Sequence, residues 1–128
     1  MEILAVDHIQ LAMPPGGEEK ARAFYRDILG VPEKPKPLHL AERGGCWFEG
    51  ETVKIHLGVE KDFKPARKAH PAWLVRDQQM LRDRLSAADY DVYDDEPLSG
   101  YHRFYASDPF GNRLEFMQTK ETTTDRST

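Results

Sequence analysis

The sequence predicts an α+β protein made of two βαβββ modules in tandem, each curling its sheet into a half-barrel. Three observations predict it. A pattern of strand, helix and three short strands runs through the chain twice. A charged stretch containing Pro65, at residues 60–68, separates the two copies. Polar residues that interrupt apolar strands recur at matching places in both. The expected layout is one domain over residues 1–118, with modules at about 1–60 and 66–118 and a disordered tail at 119–128, where no hydrophobic residue occurs.

The elements follow from local chemistry. Ile3, Val6, Ile9 and Leu11 make a strand signal within residues 1–13, interrupted by Asp7-His8. Pro14-Pro15-Gly16-Gly17 is a turn. Ala21, Phe24, Tyr25, Ile28 and Leu29 recur at helical spacing over 18–29, with Glu18 and Glu19 suited to the first turn and Gly30 to the stop. Pro35-Lys36-Pro37 reads as an edge or loop, and Cys46-Trp47-Phe48 as a short strand. Val53, Ile55, Leu57 and Val59 alternate with Lys54, His56 and Gly58, which gives a strand with one apolar face. The second copy comprises a strand at 70–75, a helix at 78–88 burying Met80, Leu81, Leu85 and Ala88, and strands at 90–93, 103–106 and 113–118. The turn Asp108-Pro109-Phe110-Gly111-Asn112 joins the last two, with Asp108 as its cap.

Composition excludes several function classes. The chain has 128 residues, 39% hydrophobic and 31% charged, and a formal net charge of −4. That charge lacks the basic excess that phosphate backbones attract, so no nucleic-acid partner is expected. No apolar run approaches the ~20 residues of a membrane span. The start, MEILAVDHIQ, has no basic stretch and no signal pattern. With Cys46 as its single cysteine, the chain is expected in the cytoplasm without an intrachain disulfide.

Four polar residues break the apolar pattern: His8, His56, His70 and Glu115. His8-Ile9-Gln10-Leu11 lines up with His70-Pro71-Ala72-Trp73, and Ile55-His56-Leu57 with Leu114-Glu115-Phe116, at nearly equal separations. Any one strand histidine is commonly a hydrogen-bonded or surface residue. The repeat maps one pair onto the other, and as a set they are three imidazoles and a carboxylate converging on one divalent metal ion. An imidazole-rich site suits Zn, Ni, Fe or Cu better than Mg or Ca, with Mn also compatible. Glu115 is the carboxylate able to shuttle a proton, and His56 could act as a base only off the metal. His39 reads as a loop or edge residue and His102 as a cavity-rim residue.

Other residues carry two readings each. Arg67 and Lys68 suit an anionic substrate or a solvated linker. Arg103 and Tyr105 share a strand face and line either a pocket or plain surface. Trp47 and Trp73 are core or pocket wall. Cys46 has no adjacent base to activate it, and Gly16-Gly17 opens no phosphate loop.

Three stretches resemble the vicinal oxygen chelate superfamily, which includes glyoxalase I, fosfomycin- and bleomycin-resistance proteins, methylmalonyl-CoA epimerase and extradiol dioxygenases. They are Val6-Asp7-His8-Ile9, Ala23-Phe24-Tyr25-Arg26-Asp27-Ile28-Leu29-Gly30, and Ser107-Asp108-Pro109-Phe110-Gly111-Asn112-Arg113-Leu114-Glu115, and the likeness covers about residues 3 to 118. The resemblance implies a glyoxalase-like pair of βαβββ modules around a metal cleft, with ligands at His8, His56, His70 and Glu115. Histidine at 56 departs from the glutamate usual in glyoxalase I and the glutamine of the epimerase. A two-His-one-carboxylate site, as in dioxygenases and fosfomycin-resistance enzymes, would use His8, His70 and Glu115, with His56 a fourth ligand or a hydrogen-bonding neighbour. The implied function is a metal-dependent lyase or isomerase of glyoxalase type, or a ring-cleaving dioxygenase, acting on a small substrate that chelates through neighbouring oxygens. The alternative is a non-catalytic small-molecule or antibiotic binder of bleomycin-resistance type. A homodimer is expected by analogy of fold.

Overall fold

The structure, a computed structural model, describes residues 1–120; most of the tail expected to be disordered lies outside the described residues. The chain divides into two units: Met1–Ala66 with Pro109–Asn112, and Arg67–Asp108 with the chain from Arg113 onward.

The first unit holds β1 (Ile9–Met13), α1 (Glu18–Ala21), β2 (Glu33–Lys34), α2 (Leu38–Ala41), β3 (Cys46–Glu49) and β4 (Lys54–Val59). Its sheet has the order β1-β4-β3-β2, with β1 and β4 parallel and the other pairs antiparallel. The expected helix is present, but it changes winding. After α1, Arg22–Ile28 is π-helical, and Leu29 N–H donates to the Phe24 carbonyl five residues back. Gly30 ends it at φ +78°, as a C′ residue should. Ala21, Phe24 and Tyr25 are buried, as are Cys46, Phe48, Ile55 and Leu57 on one face of the sheet, and Tyr25 stacks on Phe48. The short helix α2, where only an edge or loop was expected, places His39 on an exposed turn.

The turn residues Pro109–Asn112 belong to this unit, and their composition has a physical reason. Gly111 sits at φ +93° beside Pro65. The buried Asn112 amide donates to the Ala12 carbonyl at 2.8 Å and accepts from Ala66 N–H at 3.3 Å. An aliphatic residue there would leave those backbone groups unpaired.

The second unit holds β5 (Ala72–Leu74), α3 (Gln78–Ala87), β6 (Val92–Tyr93), β7 (Tyr101–Ser107) and β8 (Arg113–Thr119). The sheet order, β5-β8-β7-β6, repeats that of the first unit. Asp77 caps α3 by accepting from Met80 N–H. Leu85, Phe104, Ala106, Leu114 and Phe116 form the core. Three expectations need correction here. Met80 and Ala88 are exposed, because α3 lays only the Leu85 stripe on the sheet. The last strand runs on to Thr119, since β7 starts early enough at Tyr101 to pair with it. His8 and His70 stand just ahead of β1 and β5 rather than inside strands.

The two ladders have the same register. Gln10 lies opposite His56, as Ala72 lies opposite Glu115.

Glycine at position 45 is required twice over. Its φ is +86°, and a Cβ there would stand 2.1 Å from the Leu57 carbonyl oxygen. Gly30 has the same backbone need but open space around it. Gly30→Ala should therefore cost roughly 1–2 kcal/mol, the strain of a left-handed residue. Gly45→Ala should cost clearly more, as measured by urea unfolding of the two variants. Equal losses would show that the approach to β4 is not what constrains Gly45.

Candidate functional site

Each unit presents a polar face of its sheet. In a strand pair, residues directly opposite share a face. Gln10 and Trp47 both pair with His56, and Lys34 pairs with Trp47, so these four form one row across the first sheet. Lys54 and Glu49 form the next row. Ile55 and Leu57 point the other way into the core.

His56 is buried within a stack of rings. The Trp47 indole lies 4.2 Å away at 6°, and the His8 imidazole lies 4.3 Å away on a 21° tilt. His56 Nε2 donates to Glu49 Oε2 at 2.7 Å, and Lys34 Nζ lies 3.3 Å from the other carboxylate oxygen. The hydrogen bond from His56 holds the Glu49 carboxyl below the usual range against the opposing effect of burial, helped by Lys34. His8 Nδ1 donates to Asp7 Oδ2 at 2.9 Å, which leaves Nε2 with its lone pair.

A lone pair on imidazole lies in the ring plane. Rings stacked this closely with so small a tilt have planes that do not meet within a bonding distance of ~2.0–2.1 Å. As placed, His8 and His56 do not aim at a common point. His8, with one nitrogen oriented by a carboxylate and the other open, has the form of a metal-ligating histidine. His56 has the form of a base steadied by a carboxylate.

In the second unit, Tyr105 and Ala72 lie opposite Glu115, and Arg103 lies two residues along on the same face. The Glu115 carboxylate is buried, 5% exposed. It accepts from Arg103 Nη1 at 3.0 Å and lies 2.9 Å from His70 Nε2. Burial pushes the carboxyl pKa up, but the hydrogen bonds and charges of Arg103 and His70 outweigh it and leave Glu115 below the ordinary glutamate range. His70 Nδ1 lies 2.9 Å from the Lys68 carbonyl oxygen, which can only accept, so Nδ1 carries a proton. The contact from Nε2 to the carboxylate is then favourable only with a cation at Nε2, either a second proton or a metal ion. The pair fits a divalent metal by this test, with Lys68 O setting the tautomer. Among the described residues, no group of three or more His, Cys, Asp or Glu is gathered closely enough to hold an ion.

The remaining expected residues divide. Tyr105 is buried between the Arg113 guanidinium, 4.2 Å from its ring centroid, and the stacked Tyr93 ring. Arg103 also donates to the Tyr105 hydroxyl and to the Glu96 carbonyl. Trp73 lies opposite Phe116 and packs on it, on the face away from Glu115. His102 shares that far face, because it alternates with Arg103 along β7. Arg67 is exposed, and its carbonyl accepts from Arg113. Cys46 is free and buried, and burial raises its thiol to about 11, which keeps it protonated.

Sequence reasoning did not find Asp7 and Glu49 as orienting carboxylates, nor a cavity of about 240 Å³ in the first unit lined by Gln10, Lys36, Arg43, Trp47 and Gly58 among others. Gly58 was the available signal, since glycine inside a strand often marks a close approach.

Comparison with solved structures gives a close match. A glyoxalase family protein from Bacillus anthracis is 48% identical, with a TM-score of 0.88 over 94% of this chain and 98% of its own. Two more distant likenesses concern the fold alone. The fosfomycin resistance protein FosX from Listeria monocytogenes, complexed with Mn(II) and sulfate, matches with a TM-score of 0.72 at 16% identity, over 98% of this chain and 96% of its own. A glyoxalase/dioxygenase from Nostoc punctiforme matches with a TM-score of 0.71 at 19% identity, over 94% of this chain and 99% of its own. No protein-family model and no curated protein matches the chain.

If Arg103 is what outweighs burial at Glu115, Arg103→Met should raise the Glu115 carboxyl pKa. A ¹³C-detected carboxyl titration of the metal-free protein reads this directly. An unchanged titration would assign the low value to His70 alone.

Proposed function

The chain belongs to the glyoxalase family of the vicinal oxygen chelate superfamily, and from that premise we propose that it is a metal-dependent enzyme acting on a small substrate with neighbouring, metal-chelating oxygens. The reaction class is a glyoxalase-type lyase or isomerase, or a ring-cleaving dioxygenase. The observation that carries this reading is the His70–Glu115 pair, whose pinned Nδ1–H leaves Nε2 and a buried carboxylate sharing one cation.

We assign His8, His70 and Glu115 as ligands of a divalent Zn, Ni, Fe or Mn ion. When bound, such an ion supplies Lewis acidity to a chelated substrate. The chain's own groups do the rest. Asp7 and the Lys68 carbonyl fix the ring orientations of His8 and His70. Arg103 holds the second oxygen of Glu115, which leaves the first for the ion or for a proton. His56 stays off the metal. With Nε2 tied to Glu49, its Nδ1 is the basic atom, and the Glu49 carboxylate stabilises the ring once it takes a proton. Trp47 packs flat on that ring and keeps water from one side.

Protein purified without chelator and reloaded with Zn, Ni, Mn or Fe should hold about one ion per chain. His70→Ala and Glu115→Ala should weaken that binding at least about tenfold, the loss known for changes in a ligand's supporting shell. His56→Ala should retain the ion and lose turnover. Failure of every metal to bind would sink the assignment. Among the described residues no three ligands are gathered, which suits a second reading, a binding protein of bleomycin-resistance type. Under that reading, ligand binding would survive His8→Ala and Glu115→Ala.

A homodimer and a cytoplasmic location complete the proposal; the free, buried Cys46 suits the latter. No helix among the described residues is long and apolar enough to cross a membrane. Ile3, Leu4 and Val6 are 94%, 85% and 73% exposed, a run of apolar side chains that a second copy would cover. Sedimentation should show a dimer that Ile3→Asp/Val6→Asp converts to monomer. A monomer at high concentration in the unaltered chain would remove this part of the reading.

A further inference from the structure

We propose that the cavity of the first unit is an oxyanion subsite, in which Lys36 and Arg43 bind a carboxylate or phosphate group of the substrate and Trp47 walls its flat or apolar body. The inference deepens the reading in which His56 acts on the substrate, and it rests on that reading for the chemical step after binding.

Two glycines let neighbouring side chains close in on the cavity wall. A Cβ on Gly58 would stand 2.6 Å from Gln10 Nε2, and one on Gly44 would stand 3.0 Å from both Glu18 Oε2 and Val59 Cγ2. The space of about 240 Å³ that Gly44 and Gly58 help to line is smaller than the ~300–1,000 Å³ of drug-sized sites, so it suits a small metabolite or one end of a larger one. Its charge is one-sided. Lys36 and Arg43 line it, and among the described lining residues none is acidic. The Glu18 carboxylate stands behind Gly44, where it accepts from Gly45 N–H at 2.8 Å and its charge partly offsets that of Lys36, so Arg43 is the stronger anion donor of the two.

Both cations have donors to spare. Lys36 Nζ donates to the Gly44 carbonyl, which fixes the ammonium against the wall and leaves two of its three donors. Arg43 is exposed and makes no ion pair among the described residues, so its planar fork remains available for bidentate binding. The Gln10 amide adds a neutral donor and acceptor. An oxyanion held here lies beside the proposed base, because Gln10 and Trp47 are both opposite His56 and the indole is stacked on that imidazole.

The test uses metal-free protein carrying Trp73→Phe, in which Trp47 is the only indole. Phenyl phosphate and benzoate are titrated in parallel with the neutral benzyl alcohol, and Trp47 fluorescence is followed. A saturable change with either anion is expected, and the tighter of the two identifies the class. Benzyl alcohol at equal concentration should give none. Arg43→Ala, a change at an exposed side chain that leaves the fold intact, should weaken the anion about ten- to a hundredfold, the value of a charge-assisted hydrogen bond. Absence of saturation with both anions, equal response to benzyl alcohol, or equal affinity in Arg43→Ala overturns the proposal. Since no metal is present, failure here leaves the metal assignment standing, and a protein that takes up no metal can still pass.

Discussion

The register between the first and last strands of each module decides which side chains do chemistry. Side chains alternate along a strand, so a slip of one residue between β1 and β4 would exchange His56 for Ile55 or Leu57 on the polar face. The core prevents that slip. Ile55 and Leu57 are each 1% exposed, opposite the buried Phe48 and Cys46 of β3. Turning them to water would forfeit about 1.5–3 kcal/mol for each side chain, and His56 would then need a partner in an apolar core. The second module has the same arrangement, with Leu114 and Phe116 flanking Glu115. The apolar face of each sheet thus holds the polar face in place.

That polar face carries its own obligations. A buried carboxylate is tolerated only with charge and hydrogen bonds around it, and removing one partner of such a group typically costs about 3–5 kcal/mol. Glu115 has Arg103 and His70. Glu49, on the other sheet, has His56 and Lys34. Each carboxylate also orients an imidazole. His70 presents a lone nitrogen to a carboxylate, which calls for a cation. His56 presents a protonated nitrogen to one, which frees its other nitrogen to accept protons. The two modules share a topology, and local hydrogen bonding gives their central residues different chemistry.

Much of this could be read from the residues alone. The alternation around His56 and Glu115, the helix stripe ending at Gly30, and the repeat that pairs His8 with His70 all rest on periodicity, which sequence displays directly. The N-terminal strand and the 70–75 strand come out shorter than their apolar patterns, pairing only over Ile9–Met13 and Ala72–Leu74. Nothing in the sequence marks Asp7 or Glu49 as an orienting carboxylate. Their role depends on which ring lies within hydrogen-bonding reach, and spacing along the chain does not encode that.

The sequence by itself determined the module order, the family likeness and the residue types available for a metal site, because these follow from local pattern and motif. The tertiary structure decided how each is used. The tautomer of His70 depends on the Lys68 carbonyl, and the engagement of His56 depends on Glu49 one strand away. The cavity is lined by both Gly44 and Gly58, which are separate in sequence and meet only in the folded chain. Hydrogen bonds and cavities are properties of atoms brought together, so they exist only once the chain has closed its ladders.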